Sequence, residues 1–346
     1  MDDLWRGVPE FPQFRDLTLE DKPLFDKLFT QFPPVISEYT FTNLFIWQQC
    51  YQIKIGRHQN FLCLLSERGE ISFFFPPIGE GNVIECYQVL IQYLKGKGNP
   101  PKIARVPEAV VAQIDWKKMG MKAELDRSQC DYVYLTNDLI ELKGRKYHRK
   151  RNHIKQFQEK YSYQYVSLIS EWIPQCLQLE TEWCDLRHCE ASPGLLNESF
   201  AIKEALTYFG ELGVNPVRNS SRSTQRLSTG EALNSAGIIA KSNPAAEQQG
   251  FISNGVKGGA ILINEKVEAF TLGEPLNPET VVIHIEKANP AYEGLYPTIH
   301  QAFLEHQWSE YTYINREQDL GEVGLRKAKE SYFPHHMVNK YTIMLE

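Results

Sequence analysis

Apolar residues recur at helical spacing over 17–32 (Leu17, Leu24, Phe25, Leu28, Phe29) until Pro33-Pro34 stops the pattern. An aromatic-rich helical run follows at 37–49. Strand-like runs at 51–55, 61–66 and 71–75 come next, separated by short polar or glycine turns. The first half then predicts a helix at 82–94, a strand at 102–106, a helix at 108–119 and a strand at 130–135. The second half repeats this order. It predicts a strand at 163–168, helices at 171–188 and 200–212, strands at 260–263, 267–272 and 280–286, a helix at 294–306, a strand at 311–315, a helix at 320–332 and a strand at 340–345. Helices and strands in this order predict an α/β (α+β) fold in which each half is a mixed central sheet flanked by helices. A chain of 346 residues fits two such domains better than one. No residue-level repeat accompanies the repeated order, so the duplication rests on pattern alone.

Two stretches fall outside the alternation. Residues 139–161 read as one long helix with a narrow apolar stripe (Leu139, Tyr147, Ile154, Phe157, Tyr161), linking domains 1–138 and 162–346. Gly144 inside it marks a kink or the true helix start. Residues 214–257 are polar, rich in Ser, Asn and Gly, and without sustained period, which predicts a disordered insertion whose ends lie close together.

Charge changes the picture for the linking helix. The chain carries a net −6, yet the stretch KGRKYHRKRNHIK from Lys143 holds seven Lys or Arg and no acid. The protein as a whole is not built to coat nucleic acid, whereas Arg145, Lys146, Arg149, Lys150 and Arg151 form the concentrated footprint expected of a polyanion contact. The competing reading is a basic helix held by the acidic surfaces of both domains; mutual repulsion among so many cations favours the polyanion. The acidic, proline-broken N-terminus is not a signal peptide, and no run reaches the roughly 20 apolar residues of a membrane span. The seven scattered Cys, with no C-x-x-C, read as reduced thiols of a cytoplasmic protein.

Candidate chemistry concentrates in 311–341, YTYINREQDLGEVGLRKAKESYFPHHMVNKY. A strand leads into Asn315-Arg316-Glu317. Asp319 and Glu322 have the spacing of a capping box, Arg326 and Lys329 share a helix face, and Pro334 stops the helix. Strand ends that lead into helix starts are where open α/β sheets hold ligands. The alternative is a capped surface helix with solvated charges, and the two weigh evenly on one sequence.

This segment resembles the C-terminal part of the phosphatidylglycerol lysyltransferase catalytic domain family. The resemblance lies in Asn315-Arg316-Glu317-x-Asp319-x-Gly321, Gly324-Leu325-Arg326-Lys327-x-Lys329, Tyr332-x-Pro334 and Lys340-Tyr341, and continues more weakly through much of the chain. It implies tandem GNAT-like acyl-N-acyltransferase domains, related to Fem-type aminoacyl-tRNA-dependent transferases. It also implies transfer of an aminoacyl group from charged tRNA to an amine or hydroxyl acceptor, lipid or small molecule. In that reading Lys329 and Arg326 stabilise oxyanion charge or hold the terminal tRNA phosphate, Glu317 and Asp319 hold the α-ammonium group, and the basic helix takes the acceptor stem. Full-length lysyltransferases carry a membrane-embedded part; without such a segment here, contact with an anionic lipid surface would be peripheral only.

His284 and Glu286 alternate onto one strand face and pair as a general base, or simply as a hydrogen-bonded strand pair; Lys287 and Tyr292 border the same strand end and would complete a pocket. Acetyl-CoA-using GNAT enzymes cradle pyrophosphate in a glycine-rich loop after the fourth strand. The matching stretch, 286–294, has one Gly and a Pro, which lacks a donor. No tightly bound cofactor is therefore expected, with acyl-CoA less favoured than aminoacyl-tRNA. No metal is expected either: Cys184, His188 and Cys189 lack the second half of a tetrahedral site. A rival of another class is a non-catalytic tandem module that binds RNA or protein; thermal shifts with coenzyme A, bulk tRNA and anionic vesicles separate these readings.

Overall fold

The computed structural model describes residues 4–68, 71–213 and 255–346. The first sheet has eight strands. Six come from early in the chain: β1 (Arg15–Asp16), β2 (Ile53–His58), β3 (Phe61–Arg68), β4 (Ile71–Phe74), β5 (Ile78–Gly79) and β6 (Lys102–Pro107). Next come β7 (Met121–Leu125) and, in the second sheet, β8 (Asp131–Leu135), β9 (Gln164–Ser167), β10 (Lys257–Ile263), β11 (Lys266–Asn277), β12 (Thr280–Ala288), β13 (Tyr313–Asn315) and β14 (His336–Val338). The last strand, β15 (Lys340–Leu345), returns to the first sheet between β6 and β7.

The sheets therefore exchange strands. β8, which follows the first-half helices, pairs antiparallel with β13 and β14, while the C-terminal β15 lies against β6 and β7. Sheet membership does not divide at 138/139. The physical reason is burial: Asp131–Tyr134 are buried at every position, so β8 fits an interior place in a sheet. Within the second sheet, β12 and β13 run parallel and the other neighbours antiparallel.

The linking segment is not one helix. It breaks into Thr136–Glu141, a short 3-10 turn at Arg145–Tyr147 and the helix His148–Lys160. Leu142 (φ 48) and Gly144 (φ 88) take left-handed backbone between them, and Gly144 directly precedes the turn that opens the second helix. The last helix is also shorter than its pattern, Val323–Glu330. Its N-cap is Glu322, and Asp319 instead closes a turn onto the Gly321 N–H at 2.8 Å, so the capping box does not form.

Residues 214–254, most of the expected insertion, lie outside the described residues. Its last residues do not behave as an insertion: Val256 is buried in the core and Lys257 begins β10. The Val256 N–H donates to the Leu212 carbonyl at 3.2 Å, so the two flanks meet. Cys184 and Cys189 form a disulfide, correcting the reading of all seven thiols as reduced. Left-handed His188 (φ 53) turns the chain between them and brings the Cα atoms to 5.1 Å.

One hydrophobic core spans both halves. The short helix Phe41–Ile46 is buried at all six positions and packs into a cluster that includes Leu64 and Phe75 of the first half and Ala205 and Leu272 of the second. A helix apolar enough to be buried all round wedges between units, and here it carries Thr40 and Asn43 toward the second sheet.

Candidate active site

The site forms where β12 and β13 run side by side and the chain leaves β13. The β11–β12 register shifts there: Leu272 pairs with Ile285 but Gly273 with Ile283, leaving His284 as the extra residue of a bulge. Its Nδ1 lies 2.8 Å from Glu317 Oε1 and its Nε2 2.9 Å from Glu274 Oε1. Two carboxylate acceptors require an N–H on both ring nitrogens, which is the imidazolium form. Burial opposes that charge, but the hydrogen bonds that His284 donates to Glu274 and Glu317 outweigh it and raise His284 from its ordinary 6.5 to about 9.

Glu317 is held in left-handed backbone (φ 57). Asn315 Oδ1 accepts its N–H at 2.8 Å, and its carbonyl accepts from the Tyr132 N–H at 3.2 Å. Lys329 donates to the carbonyls of Arg316 and Glu317, using two of its three N–H groups on this turn. Burial and then Arg316 lower Lys329 to about 8. Asn43, from the wedged helix, donates to Glu317 Oε1 at 3.0 Å. Glu317 Oε2 has no hydrogen-bond partner among the described residues.

Glu286 shares the His284 face and accepts from His300 at 2.7 Å and from Arg316 at 3.3 Å. Despite burial, His300 and Arg316 hold it down at about 2. Arg316 Nη1 is buried without a hydrogen-bond partner among the described residues. Its guanidinium lies 4.9 Å from the Tyr332 ring centroid, and Lys150 of the basic helix lies 3.8 Å from the same ring. Tyr332 thus joins the strand-end site to the basic helix. There Lys146, Arg149, Lys150 and His153 line a cavity of about 430 Å³ together with Lys327 of the last helix. Burial and Arg316 lower Lys150 to about 8.

The other expected residues go elsewhere. Asp319 is fully buried; its carboxylate accepts from Tyr132 at 2.6 Å, Arg326 at 2.8 and 3.1 Å and Arg127 at 3.2 Å. Asp319 and Arg326 thus bind each other. Lys287 points away, onto Glu198 at 3.2 Å and over the Trp183 ring at 3.5 Å, because adjacent strand residues face opposite sides. Tyr292 meets the Tyr161 ring edge to face, with centroids 5.0 Å apart. Neither completes the pocket. Arg151 caps the carbonyls of Leu142 and Gly144, and Arg145 lies exposed outside the cavity lining. Glu274, His300, Asn43 and Asp131 carry no sequence signal that marks them for this site, and Lys340 stands out only through the family resemblance. Asp131 binds Asn315 at 3.0 Å and Lys340 at 2.6 Å, which brings the ends of two distant segments under the site.

Two mixed sheets joined by exchanged strands give the chain a GNAT-like fold of two linked units. The chain belongs to the family described as phosphatidylglycerol lysyltransferase, C-terminal, which matches residues 29–217 and 248–344. A conserved protein of unknown function from Bacteroides thetaiotaomicron is 30% identical, with TM-score 0.78 over 96% of this chain and 99% of that one. L-PGS from Bacillus licheniformis is 13% identical, with TM-score 0.58 over 98% of this chain and 94% of that one. FemX is 8% identical, with TM-score 0.54 over 95% and 96%. At these identities the last two show the fold. No curated protein matches the chain. Among the described residues no helix is long and apolar enough to cross a membrane.

Proposed function

We propose that the protein transfers an aminoacyl group from a charged tRNA to an amine or hydroxyl acceptor. The observation that carries this reading is the basic cavity between His148–Lys160 and Val323–Glu330, coupled through Tyr332 to Arg316 at the strand end. Crowded cations such as Lys150, already depressed by burial and Arg316, gain most when a phosphate neutralises them. In this reading the acceptor end of tRNA lies along that cavity and the ester reaches Glu317. Glu317 Oε2 takes the proton of the attacking group, and His284, fixed by Glu274, orients the carboxylate. The remaining N–H of Lys329 faces developing oxyanion charge.

Acyl-CoA is the less favoured donor. In the turn after β12, the N–H of Ala291 is taken by Asn289 Oδ1 and those of Tyr292 and Leu295 by backbone carbonyls, so these donors are spent within the turn. An anionic lipid surface is a weaker alternative partner for the same basic cavity. The test is single-turnover transfer from labelled aminoacyl-tRNA, with coenzyme A thioesters and anionic vesicles as parallel arms. Transfer from thioesters alone overturns the tRNA donor; no transfer from either leaves a binding module.

A further inference from the structure

A second cavity, of about 160 Å³, lies between the two halves and is walled by Trp47, Phe75, Asn43, Asn197, Gln318 and Arg105. Arg105 is the unusual member. It takes left-handed backbone (φ 64) within β6, a conformation that costs a non-glycine residue energy and gathers at ligand clamps. Its side chain is only 11% exposed. Its Nε donates to Glu38 Oε1 at 3.1 Å, while Glu38 Oε2 is held by Lys340 at 2.5 Å. Glu38 is thus fully engaged in fixing the guanidinium. The two terminal nitrogens of Arg105 have no hydrogen-bond partner among the described residues. A nearly buried, pre-oriented guanidinium fork with its outer donors unused matches a carboxylate in bidentate geometry. On the same cavity wall stands Asn43, which donates to Glu317. Trp47 and Phe75 supply apolar wall between polar groups, as small-molecule sites do. The volume sets the size: a cavity of about 150 Å³ holds benzene, a ligand of about six heavy atoms.

We propose that this cavity binds a small primary amine that also carries a carboxylate, as a free α-amino acid does, with the carboxylate on Arg105 and the nitrogen toward Asn43 and Glu317. Resting on the acyl-transfer reading above, it makes this molecule the acceptor. One proton of its ammonium passes to Glu317, and the freed lone pair attacks the ester carbonyl. The C–N bond forms, the ester C–O bond breaks with its electron pair on the ribose oxygen, and a second proton from the nitrogen ends on that oxygen. The products are an amide and uncharged tRNA.

The test is calorimetric titration of the full chain with L-alanine, L-serine and L-valine, and with propionate and ethylamine as halves of the same molecule. The expected result is binding of at least one amino acid with both halves far weaker. Arg105→Ala is expected to weaken that binding roughly 10- to 100-fold, since hydrogen bonds to charged groups are at stake. Arg105→Lys keeps the charge without the fork and is expected to fall between. If Arg105→Ala fails to fold, Asn197→Leu, which fills the cavity from the opposite helix, is expected to abolish binding. Wild type that binds none of the three amino acids, or Arg105→Ala that binds as tightly as wild type, overturns the proposal. Amino-acid binding with no transfer from charged tRNA overturns the function proposed above while the cavity's ligand stands. Transfer to a lipid or hydroxyl acceptor with no amino-acid binding overturns the cavity assignment alone.

Discussion

Glu317 and Asp319 leave the same strand end, yet they reach opposite conditions. Asp319 is fully buried, and both its oxygens are saturated by Arg326, Tyr132, Arg127 and the Gly321 N–H. Those bonds overcome its burial and hold its carboxyl below the usual carboxylate range. Glu317 commits one oxygen to His284 and Asn43 and leaves the other unpaired among the described residues. The first arrangement is a lock, and the second keeps an acceptor free for a ligand. Charge density in sequence marks both equally; what separates them is how much hydrogen-bonding capacity remains after folding.

The largest expected effect tests the site side of this contrast. Glu317→Gln preserves size and the approach of Asn43 while removing the proton acceptor. Aminoacyl transfer is expected to fall roughly 100- to 10 000-fold with the melting temperature nearly unchanged. Transfer at the wild-type rate would remove Glu317 from the chemistry.

The lock predicts the reverse. Asp319→Ala leaves Arg326 and Arg127 facing each other without their carboxylate, and is expected to cost about 3 kcal/mol in urea unfolding. Arg326 and Arg127 are 37% and 40% exposed, so their single Ala substitutions are expected to cost less. A stable Asp319→Ala protein that has lost transfer would put Asp319 in the site and erase the contrast.

His284 gives a pH test with a defined sign. Its folded pKa, about 9, lies above its ordinary 6.5, so its stabilisation is complete below 6.5 and is lost as pH rises through 9. Lys329 runs the other way: lowered from 10.5 to about 8, it penalises the fold below 8 and releases that penalty as pH climbs toward 10.5. His300 and His336 are lowered, so their contributions change below 6.5. Lys150, lowered likewise to about 8, acts in the same direction as Lys329, so among the groups of the site it is His284 whose titration weakens the fold between 6.5 and 8. Resistance to urea is expected to weaken with pH across that window in wild type and to flatten in His284→Gln. An unchanged slope in the variant would mean that the imidazole is not shared between two carboxylates.

Much of the fold was legible because strands and helices of this protein follow their periodicities closely, as in β12 and Leu295–Gln307. Strand exchange was not legible, since nothing local tells β8 or β15 which sheet it joins; only complementary burial does. For the same reason Asn315, Arg316 and Glu317 could be picked from their cluster, whereas Glu274 and Asn43 could not. Glu274 meets His284 because a bulge shifts the β11–β12 register, and Asn43 arrives from a helix 274 positions away from Glu317. Lys287 and Tyr292 are near the site in sequence alone, and the alternation of strand faces sends Lys287 elsewhere.

The smallest effect sharpens the contrast within the basic helix itself. Lys146, Arg149 and Lys150 face the cavity with Lys327, whereas Arg151 is spent on the carbonyls of Leu142 and Gly144. If the cavity takes tRNA phosphates, each cavity Lys or Arg changed to Gln removes one contact. The slope of log affinity against log salt is then expected to flatten by about 0.7 to 0.9 per contact, with a modest loss of affinity at any one salt concentration. Arg151→Gln leaves that slope in place and instead lowers stability, because the guanidinium that ties the carbonyls of Leu142 and Gly144 together is lost. Filter binding of bulk tRNA over a salt series separates the two. Equal slopes for Lys150→Gln and Arg151→Gln would mean that the helix attracts polyanions by overall charge alone, and that the cavity between it and the last helix has no part in holding them.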